Sequence, residues 1–258
     1  MPETLWDKGP VLYHAPGVFP MGTDSILLAD FSSSCRAGNV IDLGTGSGIL
    51  AILSASTRPS ALVTAIELSP AACALARKNF VANSLSERVT LLQGDIRDHR
   101  ILIPAGRADL VLSNPPYFQS GSGPDAIAGL SQARGDSSCN IEELCQAAGW
   151  ATRWGGAFCL LWRPERLCDL FCALRASGLE PKRLRTVRHD RKHEISLLLI
   201  EARRGGRSGL KWEPELLLYE ADGTESPELL RIYHRSQHTA AQPQAGSDFL
   251  SSQNPERC

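Results

Sequence analysis

The sequence predicts an α/β fold, a doubly wound and mostly parallel sheet of seven strands closed by an antiparallel hairpin, with a short N-terminal extension. From residue 39 onward, short β-branched or leucine-rich runs alternate with longer stretches of helical period, the pattern of strands joined by crossover helices. The first run, NVIDL, passes directly into the glycine-rich turn GTGSG. The last two runs, 182–189 and 194–204, are separated only by a polar stretch around Asp190 to His193. That gap is too short for a crossover helix, so the two runs pair as an antiparallel hairpin.

Each element follows from local chemistry. The segment 11–31 is rich in glycine and proline and resists a long helix until Thr23 and Asp24, which are positioned to cap one. NVIDL reads as a strand, GILAILSAS as a helix and ALVTAIEL as a strand. SPAACALARKNFVANSL is a helix with Ser69 as N-cap and Pro70 in its first turn. RVTLLQGD and ADLVLSN follow as strands, and a Gly/Ser-rich loop covers 121–138. A helix is predicted over 141–154, a strand over 156–162, a helix over 164–178, and then the closing pair. Residues 1–38 form an extension packing over the ligand site, 39–234 the main domain, and 235–258, poor in large apolar residues, a disordered tail.

Bulk properties narrow the class. The apolar runs are far shorter than the roughly 20 residues a membrane helix needs, and the N-terminus lacks the pattern of a secretory signal. A cytoplasmic protein is expected. The eight cysteines show no CxxC pair and no paired histidine spacing, so no metal site is expected, and the thiols should pack as small hydrophobes. Net charge is −1, but residues 151–210 carry 13 Lys/Arg against 6 Asp/Glu, between two segments that are each net acidic. The basic stretch, with Lys182, Arg183, Arg185 and Arg188, suits phosphate groups or a solvated face equally well on charge alone.

Two motifs carry chemistry. In Asp42-Leu43-Gly44-Thr45-Gly46-Ser47-Gly48 the glycines let a ligand lie against the main chain where strand turns into helix. The spacing is GxGxG rather than the GxGxxG of dehydrogenases, and Asp42 would repel a pyrophosphate. S-adenosyl-L-methionine, with a cationic amino group and no phosphate, suits the loop better. Glu67, at the next strand's end, stands where a carboxylate accepts ribose hydroxyls, with Leu68 following it. Asp95 is placed for an adenine amine, with Ile96 beside the ring.

Asn114-Pro115-Pro116-Tyr117 follows the fourth strand and emerges on the same sheet edge. An amino group on an aromatic ring or amide is a weak nucleophile because its lone pair is delocalised. If the Asn114 side-chain oxygen and the Pro115 carbonyl accept its two hydrogens, the lone pair is freed to attack a methyl carbon. Proline rings fix that carbonyl's direction. Tyr117 and Phe118 can stack on the planar substrate.

Through VIDLGTGSG, AIELSP, GDIRD and NPPYF, the chain resembles the class I, Rossmann-like S-adenosylmethionine-dependent methyltransferases. Through FPMGTDSILLADF, SQARGD and KWEPELLLYEADGTESPELLRIY, it is similar more narrowly to the bacterial family that methylates N6 of an adenine beside the anticodon of a valine tRNA. The resemblance covers roughly 10–234. It departs at Ala133-Arg134-Gly135-Asp136, where the family commonly reads ARHE, and at Glu225, where it usually has tyrosine. The resemblance implies a tRNA substrate, with Arg134, Lys182, Arg183, Arg185 and Arg188 as candidates for holding it. Alternatives from the residues are methylation of a glutamine amide in a translation factor, a non-catalytic RNA-binding protein on this fold, and a dehydrogenase, against which the GxGxG spacing speaks.

Overall fold

The computed structural model describes residues 2–18, 22–115 and 140–234. Seven strands build the main sheet: β3 (Asn39–Leu43), β4 (Leu62–Glu67), β5 (Val89–Gln93), β6 (Ala108–Ser113), β7 (Thr152–Trp162), β8 (Leu179–Arg188) and β9 (Ile195–Arg204). They lie in the order β8-β9-β7-β6-β3-β4-β5. All run parallel except β9, which is antiparallel to both β7 and β8. The predicted hairpin is therefore present, with its second arm inserted between β7 and β8. Two further strands of two residues each, β10 (Lys211–Trp212) and β11 (Leu216–Leu217), extend the sheet beyond β8 to nine. Such short edge pairs carry no hydrophobic alternation that a sequence pattern could detect. A separate hairpin, β1 (Glu3–Thr4) with β2 (Val11–Leu12), forms the N-terminal extension.

Helices cover both faces. On one side α1 (Thr23–Ser32), α2 (Ile49–Thr57) and α3 (Pro70–Ala82) pack with Val40, Leu110, Leu112, Cys159 and Leu161. On the other, α4 (His99–Leu102), α5 (Ile141–Ala151) and α6 (Leu167–Ala176) flank Ile41, Leu43, Val111, Phe158 and Leu160. Strand residues alternate between the two layers while remaining apolar on both, as a sheet covered on both faces demands. A last helix, α7 (Pro227–Ile232), is capped by Ser226, whose hydroxyl accepts from Leu229 N at 3.1 Å.

Three local expectations are corrected. The N-cap of α1 is Gly22, and Thr23 and Asp24 lie inside the first turn, where the Thr23 hydroxyl accepts from Tyr233 Oη at 3.0 Å. The helix predicted over 141–154 ends at Ala151, because Thr152 to Trp154 already belong to β7 and Gly155, at φ 73°, cannot continue a right-handed helix. Cys168 and Cys172 are exposed on α6, whereas Cys35, Cys73, Cys145 and Cys159 are buried. By contrast, Ser69 caps α3 as expected, accepting from Ala72 N, with Pro70 in the first turn.

Candidate active site

The glycine loop leaves the tip of β3 with Gly44, Gly46 and Gly48 at φ of 74°, 56° and 89°, a conformation that side chains with a Cβ adopt only under strain. A Cβ at Gly44 or Gly46 would meet nothing within 4 Å, whereas one at Gly48 would strike Phe80 of α3 at 2.6 Å. The loop is thus open above its first two glycines and closed by packing below the third. Gly44 N and Thr45 N both donate to Ile66 O at 2.9 Å, fastening the turn to the tip of β4.

Carboxylates shape the loop. Asp42 is fully buried, and its Oδ2 accepts from Thr45 Oγ1 at 2.5 Å and from Ala51 N at 3.1 Å. Its Oδ1 has no partner among the described residues. Burial, aided by the nearby Glu67, pushes the Asp42 carboxyl up to about 7, against the opposing pull of its two hydrogen bonds. Glu67 holds both sides of its own tip, its Oε2 accepting from Gly46 N at 2.9 Å and its Oε1 from Ser69 N at 2.8 Å. Leu68 beside it is exposed. Asp95 caps the turn after β5 and is gripped by Arg97, with Nη2 to Oδ2 at 2.6 Å, which holds its carboxyl below the usual range. Ile96 is half-buried next to it.

Asn114 leaves the tip of β6. Parallel pairing of Asp42 with Leu112, continued by two residues, sets Asn114 beside Gly44. Ser113 Oγ reinforces this by donating to Leu43 O at 2.9 Å. The Asn114 Nδ2 donates to Ser25 Oγ of α1 at 3.1 Å, which uses one of the carboxamide's two N–H donors, and Oδ1 has no partner among the described residues. Pro115 is buried beside it. Pro116, Tyr117, Phe118 and Arg134 lie outside the described residues, as does the tail 235–258.

Four expected substrate contacts on β8 are engaged within the chain. Lys182 Nζ donates to the carbonyls of Arg207 and Gly209. Arg183 pairs with Glu201 and Glu213 and lies 4.3 Å over the Phe31 ring. Arg185 makes a two-pronged pair with Glu228 at 2.9 and 2.7 Å. Arg188 pairs with Glu215 and donates to His193 O. Arg183 borders the one group of metal-ligand side chains among the described residues, Cys35, Cys159 and Glu201, whose ligand atoms lie within 4.8 Å of one another. There the Glu201 carboxylate is already paired with Arg183 and Arg203, each at 2.5 Å, whose charges oppose a bound cation.

Sequence reasoning missed Ser25, a buried serine in an otherwise apolar run, and the pair Asn79 and Asn83. The two asparagines lie four apart on one face of α3 and pin the N-terminal segment. Asn79 Oδ1 accepts from Tyr13 N at 2.8 Å while its Nδ2 donates to Ser47 O at 2.9 Å. Asn83 Oδ1 accepts from Val11 N, and its Nδ2 returns a bond to Val11 O. The spacing of two amides was the available signal.

Parallel strand tips presenting a glycine loop, two carboxylates and an Asn-Pro step on one edge define a class I methyltransferase. Residues 11–130 match the family model described as the methyltransferase small domain. The fold superposes on the crystal structure of a predicted O-methyltransferase from Agrobacterium tumefaciens with a TM-score of 0.68 and 21% identity, covering 83% of this chain and 97% of that one. More narrowly, the chain belongs to the tRNA1(Val) (adenine(37)-N6)-methyltransferase family. It is 33% identical over 221 residues to that enzyme of Porphyromonas gingivalis, covering 82% of this chain and 86% of the relative. It is also 31% identical to that of Tolumonas auensis, over 82% of this chain and 87% of the relative. No helix among the described residues is long and apolar enough to cross a membrane.

Proposed function

We propose that the chain transfers a methyl group from S-adenosyl-L-methionine to the exocyclic N6 of an adenine in tRNA, the reaction its relatives' names specify for adenine 37 of tRNA1(Val). The observation that carries the chemistry is the Asn114 carboxamide, fixed by Ser25 at 3.1 Å and set one strand from the glycine loop. The bound cofactor would supply an electrophilic methyl carbon on a sulfonium sulfur. Gly44 and Gly46 offer it open main chain, the buried Asp42 fixes that loop from below through Thr45 and Ala51 N, and Glu67 and Asp95 offer acceptors for ribose and adenine. Thr45 and Gly48 hold the loop in shape.

Asn114 Oδ1 and the Pro115 carbonyl accept the two N6 hydrogens, which localises the nitrogen lone pair and aims it across the strand gap. Tyr117 and Phe118 supply the stacking face for a base splayed out of its loop. With the cofactor bound, N6 would take its methyl group, the electron pair of the broken C–S bond would stay on sulfur, and the extra N6 proton would pass to solvent. Positioning supplies most of the acceleration, so no strong base is required.

The test is transfer of labelled methyl from the cofactor to separated RNA and protein fractions. Label in tRNA that co-elutes with N6-methyladenosine is the expected result; label only in protein rejects the RNA reading in favour of a side-chain amide. Asn114→Ala should lower kcat by about 10²–10³-fold while the cofactor still binds. Unchanged kcat would remove Asn114 from the mechanism.

A further inference from the structure

Resting on the tRNA reading, we infer that the β8–β9 hairpin tip, through Arg191 and Lys192, is a docking site for the phosphodiester backbone of the RNA flanking the reacting base.

The argument begins with topology. Because β8 runs parallel to β6, its C-terminal end, and with it the turn into β9, rises from the same sheet edge as Asn114. Registers fix the height. Ser113 lies opposite Leu160, and Leu161 lies opposite Leu199, so the level of Asn114 corresponds to Leu199 on β9. The hairpin stays paired up to Arg188 with Ile195, four residues further along, which at ~3.3 Å per residue is a rise of about 13 Å. Its lateral offset from β6 is two to three strand spacings, roughly 10–14 Å. The hairpin therefore stands as a wall beside the reactive asparagine, where the backbone on one side of an inserted base must pass.

The tip is built rather than loose. Asp190 Oδ1 accepts from Lys192 N at 2.7 Å and from His193 N at 3.2 Å, and meets His193 Nδ1 at 2.7 Å, so the carboxylate is turned into its own turn. The His189 ring rests 4.5 Å from that of Tyr219, whose N–H donates to His189 O at 2.8 Å. Arg191 and Lys192 are exposed, and their side chains have no partner among the described residues. They differ in this from Lys182, Arg183, Arg185 and Arg188 on the strand below, every one of which is engaged. Two carboxylates share the tip, Asp190, turned into the turn by its bonds to Lys192 and His193, and the exposed Glu194. A rigid turn that presents two adjacent cations fixes where a phosphate backbone lies and reads no bases.

The experiment is equilibrium binding of a tRNA transcript to the full chain over a salt series. The wild type gives a log–log slope set by the number of phosphates it neutralises. The double variant Arg191→Ala, Lys192→Ala should weaken binding about tenfold near 0.1 M salt and reduce that slope by about 1.4, at ~0.7 per cation on a single-stranded loop. The charge-keeping pair Arg191→Lys, Lys192→Arg should restore the slope, and Glu194→Gln should tighten binding about two- to threefold. Tight wild-type binding with the same slope in the double variant overturns the hairpin site alone. Failure of the wild type to bind tRNA overturns the functional reading beneath it as well.

Discussion

Asp42 and Asn114 show how single side chains at neighbouring strand tips are tuned by burial and by one hydrogen bond. Because burial raises the folded-state carboxyl of Asp42 to about 7, well above its value in an unfolded chain, its contribution to stability is complete at pH below about 4 and is lost as pH rises through 7. The Asp42→Asn variant removes this titration. Thermal melts of the cofactor-free protein at pH 5 and pH 8 should show the variant gaining on the wild type at the higher pH, and cofactor binding should weaken. A wild-type minus variant difference that does not change with pH would mean that Asp42 is not the group held neutral. Ser25 bonds Asn114, and its effect on the proposed reaction is expected to run through that bond. Losing its hydroxyl removes a bond of about 1 kcal/mol, so Ser25→Ala should lower kcat about five- to tenfold with KM for the cofactor little altered. Ser25→Thr, which keeps the hydroxyl, should recover part of that loss, and equal loss in both variants would point to packing instead. The Asp42 loop was legible in the sequence because glycine spacing and a flanking carboxylate are local signals. Ser25 was not, since its partner lies 89 residues away.

At the level of elements, the uneven charge of the chain finds its explanation in the edge of the sheet. The basic segment 151–210 and the acidic one that follows are complementary surfaces. Glu213, Glu215 and Glu228 of the C-terminal stretch meet Arg183, Arg188 and Arg185 of β8, while β10 and β11 add backbone pairing along the same strand. The Ser226-Pro227-Glu228 step thus caps α7 and clamps it to the sheet at once. Arg185 holds the Glu228 carboxyl below its ordinary range. Arg185→Gln leaves that half-exposed carboxylate without its main partner and should cost about 0.5–1 kcal/mol, read as a fall in Tm of roughly 2–4 °C per kcal/mol. Glu228→Gln should produce a smaller fall, and an unaltered Tm in both would show that the clamp adds nothing to stability. From the sequence, the run of cations was open to two readings. Composition locates charge along the chain, but only the folded chain reveals which carboxylates lie opposite.

Across the whole molecule, the sheet decides which residues meet. The alternation of runs was enough to derive seven strands, one parallel direction and a reversed closing arm, because hydrophobic period and connection length are properties of short segments. The tips of β3, β4 and β6 then had to share an edge, and Gly44, Glu67 and Asn114 with them. What the alternation left open was lateral order, since any parallel strand can neighbour any other until crossover helices pack. The insertion of β9 between β7 and β8 carries the hairpin to its place beside Asn114, and the bridge of Asn79 from Tyr13 to Ser47 draws the N-terminal segment onto the glycine loop. By itself the sequence determined the seven main strands and the glycine-loop chemistry, and it singled out the Asn114-Pro115 step as the candidate reacting motif, all from spacing within about twenty residues. The tertiary structure alone decided which cations are neutralised, which serine orients the asparagine and which turn overlooks the site, because those depend on contacts between segments far apart in the chain.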